Sequence, residues 1–332
     1  MVDFVGWLRT HNDSLFNPKE KVGFYGLDLY RLHKSIDAVI GYLDRVDPAA
    51  AKRARLQYGC FDHFGEVRRY GFATKLGLAK SCEDVALKEL IELRAQHKEL
   101  LQKNGPVAEE ALFSAEQNAL LVANVERYYR AMFGGRTDAW NQRDGYMAET
   151  LYTLAAHLER QKRHGKIVVW SHNQHAGDAR ATAMGDERMI SLGQLVRERC
   201  GRDAVLIGFT TDSGTVPSAL DWWDSPPQRV RLKPALQDSY EAVFHLVGHQ
   251  QFMLDLRDTN HAVSSLRAPR LERAVGVVYR PDSERNSHYF EARLPDQFDV
   301  LIHIDETRAV EPIEHAVEWD KGEVPETFPM GV

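Results

Sequence analysis

Two short apolar runs, KIVVWSHN at residues 166–173 and AVLIGFTTDSG at 204–214, constrain the fold of this chain more than any other feature. Continuous runs of this length suit strands buried on both faces. Residues 189–199 between them read as a crossover helix. A strand-helix-strand unit of this kind has parallel strands, and its functional loops lie at their carboxyl ends. His172, Asn173, His175, Thr211, Asp212 and Ser213 occupy those ends. Three later runs, FMLDLR, RAVGVVYR and FDVLIHIDE, are also strand-like and extend the sheet. An earlier strand is expected at residues 22–27, in KVGFYGLD. The proline-rich residues 216–234, with Trp222 and Trp223, read as a long irregular loop over the sheet edge, suited to covering a large apolar ligand.

Between these strands the periodicity changes to that of helices. Leu32, Ile36, Val39, Leu43 and Val46 recur at helical spacing until Pro48 stops them. Residues 49–160 are helical almost throughout. Leu87, Leu90 and Ile91 mark one helix, Leu121, Val125, Tyr128 and Met132 a second, and Met147, Leu151, Leu154 and Leu158 a third. GGRTDAWNQRD breaks the pattern before the third helix, where Asp144 is placed to cap and Arg143 to project towards a ligand. The expected fold is therefore α/β: a mostly parallel sheet flanked by helices, with a helical subdomain. Residues 1–30 and 161–332 form the α/β core, incomplete at its N-terminal end, and residues 31–160 the helical subdomain.

At 332 residues, 43% hydrophobic and 27% charged, the chain can bury a large core and carries no low-complexity stretch. A formal charge of -6 gives no basic field for a polyanion, so nucleic acid is not an expected partner. No apolar run approaches the roughly 20 residues that span a bilayer, and the first dozen residues lack a secretory pattern, so a cytoplasmic protein without a membrane partner is expected. Cys60, Cys82 and Cys200 are dispersed and odd in number, which points to reduced, inert thiols.

Chemistry concentrates in Trp170-Ser171-His172-Asn173-Gln174-His175, because two imidazoles directly after a buried strand have little structural reason to be paired. His172 is placed to take a proton from water near neutral pH, and His175 to orient substrate; the alternative is that both satisfy loop carbonyls. A metal held by this pair needs a third ligand from Asp28, Asp212 or His288. Glu284-Arg285-Asn286-Ser287-His288 is a second cluster, in which Arg285 and His288 either hold an anionic group or form a solvated rim with a surface ion pair. His63, in the aromatic turn Phe61-Asp62-His63-Phe64, is a weaker candidate. The chain contains no GxSxG, GxxxxGK[ST], HExxH or strand-linked GxGxxG motif, which removes the usual serine-hydrolase, P-loop, zincin and dinucleotide-binding readings.

GFYGLDLY, WNQRDGYMAET, KIVVWSHNQHAGDARAT, GFTTDSGTV and ERNSHYFEARLPDQFDVLIHIDET, in this order, resemble the erythromycin esterase family, including its relatives named for succinoglycan biosynthesis. The resemblance implies histidine-based activation of water to open an ester or lactone, with His172 and His175 matching the family's HNxH pair. Asp28, Arg143, Arg285 and His288 become candidates for substrate binding, and no metal or other cofactor is expected. Family members also carry an upstream strand with a GE-x-x-H motif that this sequence lacks, so the sheet should expose apolar edges and the chain is a possible homo-oligomer. Two readings follow: a hydrolase of small-molecule esters or lactones, or a noncatalytic binding protein that keeps the cleft. Metal-assisted hydrolysis through the histidine pair is a third.

Overall fold

A computed structural model describes residues 2–61, 72–74, 77, 80–161, 165–219 and 228–310, apart from the side chains of residues 18, 94 and 96–108. His63, Trp222 and Trp223 lie outside the described residues. Five longer helices come first: α1 (Val2–Asp13), α2 (Leu32–Val46), α3 (Pro48–Tyr58), α4 (Glu83–Met132) and α5 (Arg136–Arg160). Contacts divide the chain into two compact units, Met1–Leu27 with Leu151–Pro329, and Asp28–Thr150.

In the second unit the helical periodicity becomes burial. Leu32, Ile36, Val39 and Leu43 are all in the core, on the face that α2 turns to α4. Asp47 ends α2 and starts α3 by accepting hydrogen bonds from the Ala49 and Ala50 amides, with Pro48 at the first helical position, where its missing N–H costs nothing. The first two helices expected after residue 80 are instead the single 50-residue α4, which buries Leu90, Leu93, Leu112, Phe113 and Val125. The break at GGR is also shorter than its composition suggests. Helix α5 begins at Arg136, so Asp144 is not a cap but a fully buried residue within the helix, one position after buried Arg143. Cys60 and Cys82 form a disulfide, with Cα atoms 6.2 Å apart, where reduced thiols are expected from their spacing. Only the fold brings them together; Cys200 is free and exposed.

Among the described residues the first unit carries eight strands: β1 (Ile207–Thr210), β2 (Ser213–Ser218), β3 (Gln228–Leu232), β4 (Gln251–Asp255), β5 (Arg270–Arg273), β6 (Tyr289–Ala292), β7 (Val300–Ile304) and β8 (Glu306–Thr307). They form three small sheets, two mixed and one antiparallel, not one mostly parallel sheet. In the order β1-β7-β4, β1 runs parallel to β7 and β4 antiparallel to it. In β3-β2-β8, β2 runs antiparallel to β3 and parallel to β8, while β5 and β6 form an antiparallel pair. The proline-rich segment is thus partly regular: Ser218 pairs with Gln228 and Gly214 with Leu232. RAVGVVYR contributes only Arg273 to β5, and the rest runs irregularly to a single bridge between Val278 and Ala219. Phe244, Leu256, Leu294, Phe298 and Leu301 form the core against β7.

Residues 22–27 and 166–171, both expected as strands, pair with no strand among the described residues. The Val22 amide and carbonyl are satisfied instead by the side chain of Asn12 in α1. Strand β1 is buried on one face only, with Phe209 54% exposed. Phe24, Val168 and Trp170 are exposed as well, and Phe4 touches both Phe24 and Trp170. The apolar runs are present, but among the described residues no strand pairs with them to make them interior strands. No helix among the described residues is long and apolar enough to cross a membrane.

Candidate active site

The HNQH loop becomes α6 (Asn173–Ala176), a single turn. Its cap is an imidazole. His172 Nδ1 accepts from the Gln174 amide at 3.2 Å, and His172 Nε2 lies 3.0 Å from the Val275 carbonyl. These two bonds together require the tautomer with its proton on Nε2. Asn173 then fastens the turn to β1: its Nδ2 donates to the Phe209 carbonyl at 2.7 Å, and its Oδ1 accepts from the Phe209 amide at 3.0 Å. The same Nδ2 is 3.4 Å from Glu272 Oε1 on β5. His175 is buried within the same turn.

Helix α7 (Leu192–Cys200) supports the loop from behind. Ser191, its cap, accepts from the Gln194 and Ala179 amides and donates to the Gly177 carbonyl at 2.6 Å. At Gly193 a Cβ would come within 2.1 Å of the Ala176 carbonyl oxygen, so only glycine lets α7 approach this closely.

Behind the loop lies a buried polar network that the sequence does not announce. Glu272 and Glu241 are both fully buried. Burial, and then the neighbouring Glu241, push the Glu272 carboxyl up to about 8, so it is protonated at neutral pH; burial raises Glu241 as well. Glu241 Oε1 accepts from the Arg273 amide. The Arg273 guanidinium bonds the carbonyls of Lys233, Thr211 and Asp212 and forms an ion pair with Glu284 at 3.2 Å. Arg273 therefore clamps the loop after β1 onto β5.

The second sequence cluster divides. His288 is buried, with Nε2 accepting from the Arg280 amide at 2.9 Å and Nδ1 3.2 Å from the Ala274 carbonyl. Burial lowers its pKa. Its position meets that of His172 through adjacent carbonyls, Ala274 and Val275. Arg285 is exposed, 3.4 Å from exposed Asp238, the surface pair anticipated as one of its two readings. In the other unit Asp28 and Arg143 hold each other bidentately, Nε to Oδ1 at 2.9 Å and Nη2 to Oδ2 at 2.6 Å, with the guanidinium 5.0 Å from the Tyr30 ring. Burial alone would lower the Arg143 pKa, but the hydrogen bonds and charge of Asp28 outweigh it and raise it.

Of the three residues considered as a third metal ligand beside the histidine pair, Asp28 is thus spent on Arg143 and the His288 ring on backbone. Asp212 gathers with a different set. Its carboxylate, the His245 imidazole at the end of α8 (Tyr240–His245) and the Asp305 carboxylate after β7 place one donor atom each within 4.8 Å of one another. His245, His303 and Asp305 were not singled out from the sequence. A histidine two residues before an aspartate at a strand end, as in HID, is the only local signal there.

The comparisons agree with this architecture. A Bacillus cereus protein of known structure matches with a TM-score of 0.72 and 21% identity over 93% of this chain and 72% of that one. A succinoglycan biosynthesis protein matches at 0.68 and 21% identity, over 92% and 70%. A variant of the erythromycin esterase EreC in its open conformation matches at 0.61 and 16% identity, over 92% and 72%. These identities establish shared fold. The family model for erythromycin esterase matches residues 1–307, nearly the whole described chain, and the chain belongs to that family.

Proposed function

We propose that this chain hydrolyses a small-molecule ester or lactone, with the His172–His175 turn at the reacting carbonyl. The observation that carries the proposal is the anchoring of that turn. Asn173 donates to the Phe209 carbonyl and to Glu272 and accepts from the Phe209 amide, which holds two imidazoles beside the carboxyl end of β1, where α/β folds bind ligands.

This reading exchanges the roles expected for the two histidines from the sequence. With both ring nitrogens engaged, His172 positions the turn and keeps its proton on Nε2. In this reading His175 takes a proton from water as the water attacks the carbonyl carbon. It returns the proton to the alkoxide when the C–O bond breaks, so that water is added across the bond and the imidazole is regenerated. Glu272, neutral at pH 7, stabilises Asn173 without placing a negative charge beside the turn.

The test is turnover of p-nitrophenyl esters and of a macrocyclic lactone, read by product mass with the gain of one water. His175→Ala is expected to lower kcat by a factor on the order of 100 to 10,000. Unchanged turnover in that variant removes His175 from the reaction. A specific observation favours a second reading, a binding protein: Asp28, Arg143, His172 and His288 all direct polar atoms to the protein itself. Saturable lactone binding with no product from the parent chain would select that reading.

A further inference from the structure

We propose that Asp212, His245 and Asp305 form a site for one divalent transition-metal ion, separate from the histidine turn. The site does not depend on the hydrolytic reading.

Its donors come from three segments of one unit: the turn between β1 and β2, the end of α8, and the turn after β7. His245 Nδ1 lies 2.7 Å from Asp305 Oδ1 and 3.8 Å from Asp212 Oδ2. Metal-to-ligand bonds of about 2.0 to 2.2 Å put neighbouring donors roughly 3 Å apart and opposite donors roughly 4 Å apart. His245 Nδ1 is already near such distances from both carboxylates, and all three donor atoms lie within 4.8 Å of one another, so side-chain rotation can bring them to one ion.

The surroundings are built to hold the two carboxylates. Asp212, nearly buried, receives the Ala235 amide on Oδ1, which leaves Oδ2 towards His245. Asp305 is also held by His303, whose Nε2 lies 3.3 Å from Oδ1, the oxygen that faces His245, and His303 is itself fully buried and fixed through Nδ1 to the Thr210 hydroxyl at 3.0 Å. A buried, hydrogen-bonded imidazole that orients a ligating carboxylate is the kind of outer support that tunes metal sites. The Arg273 guanidinium, close at hand, is committed to the Asp212 backbone carbonyl, to Thr211 and to Glu284. The side-chain cluster thus sets two carboxylates against one imidazole.

The donor set chooses the ion. One nitrogen and two carboxylates suit zinc, manganese or cobalt better than calcium or magnesium, which prefer oxygen alone. His245 is 53% exposed, so the ion has a path from solvent and open positions for water. On binding, the Nδ1 proton now shared with Asp305 passes to solvent, and the nitrogen lone pair goes to the metal.

Calorimetric titration of the EDTA-treated full chain with Zn2+ and with Mn2+ decides the matter, with thermal melts in parallel. The expected result is one equivalent bound by at least one of the two ions, with a raised Tm. His245→Ala, at a half-exposed side chain, should weaken that affinity by at least about tenfold. Asp305→Asn should do the same. The His172→Ala/His175→Ala double variant should bind as the parent does. The proposal falls if neither ion saturates by about 1 mM, a dissociation constant worth only about 4 kcal/mol. It falls equally if His245→Ala binds like the parent, or if the double variant is the one that loses binding.

Discussion

Glu272 is the residue whose environment departs furthest from what its sequence context suggests. It stands fully buried on β5, with Oε1 facing Asn173 and Oε2 without a hydrogen-bond partner among the described residues. A carboxyl whose pKa is about 8 in the folded chain and near 4.5 when exposed keeps its proton in the fold and loses it on unfolding at every pH between those values. Stability associated with it is therefore intact below about pH 4.5, falls as pH rises through the window, and is fully lost above about pH 8. The slope is roughly 1.4 kcal/mol per pH unit within the window. Glu272→Gln, which keeps the shape and the acceptor for Asn173, should therefore match the parent in Tm near pH 4.5 and become progressively more stable than it towards pH 8. Parallel melting curves across that range would show that Glu272 does not carry a proton in the fold. The neighbouring turn was legible in the sequence because two imidazoles after an apolar run are costly to place without a purpose. Glu272 was not, because RLER has the composition of a solvated strand. Only the fold sets it between Asn173 and Glu241. His172 lies between these cases: its place was readable, but its tautomer depends on the Val275 carbonyl, 103 residues away.

At the scale of elements, the sequence is legible where a segment's neighbours are local and obscure where they are not. Helices α2 and α3 follow from periodicity, Pro48 and the Asp47 cap, all within one short stretch. Strands β1 and β7 fall within the apolar runs that suggested them, and β4 begins one residue before its run. Strand β2 was hidden because Pro217 suggests a loop, yet a proline can occupy a strand wherever its missing N–H is not required. KIVVW and KVGFYG failed for the opposite reason, since an apolar run becomes a strand only when another strand bonds to it. Gly214 is the position where this pairing is most exacting. It holds φ at +113° in β2 and pairs with Thr307 of β8, whose carbonyl oxygen would lie 2.0 Å from any Cβ added there. Gly214→Ala combines a disfavoured backbone angle with a backbone clash. It should destabilise the chain by roughly 2 to 3 kcal/mol, measured as a shift in the urea midpoint with unchanged slope. A loss under about 0.5 kcal/mol would mean that β8 moves away without cost.

At the scale of the whole molecule, the two units place their apolar residues differently. In residues 28–150 Leu32, Ile36, Val39 and Leu43 of α2 and Leu90, Leu93, Leu112, Phe113 and Val125 of α4 are in the core, whereas the first unit leaves Phe24, Val168, Trp170 and Phe209, which lie in or beside its apolar runs, on its surface, with Phe4 and Trp7 of α1 nearby. Single exposed apolar residues are ordinary, but a run that was composed for burial and stays exposed favours self-association in water. Val168 is 89% exposed and Trp170 82% exposed, so charges there remove apolar surface without opening a cavity. The double variant Val168→Lys/Trp170→Lys should keep its Tm within about 2 °C of the parent, because exposed substitutions change stability by about 0.5 kcal/mol or less each. It should also sediment as a smaller species than the parent at the same concentration, and bind less of an apolar dye. Two outcomes contradict this argument at different points. A large fall in Tm means that these side chains are covered in solution by protein that stabilises the fold, and an unchanged sedimentation profile means that their exposure does not drive association.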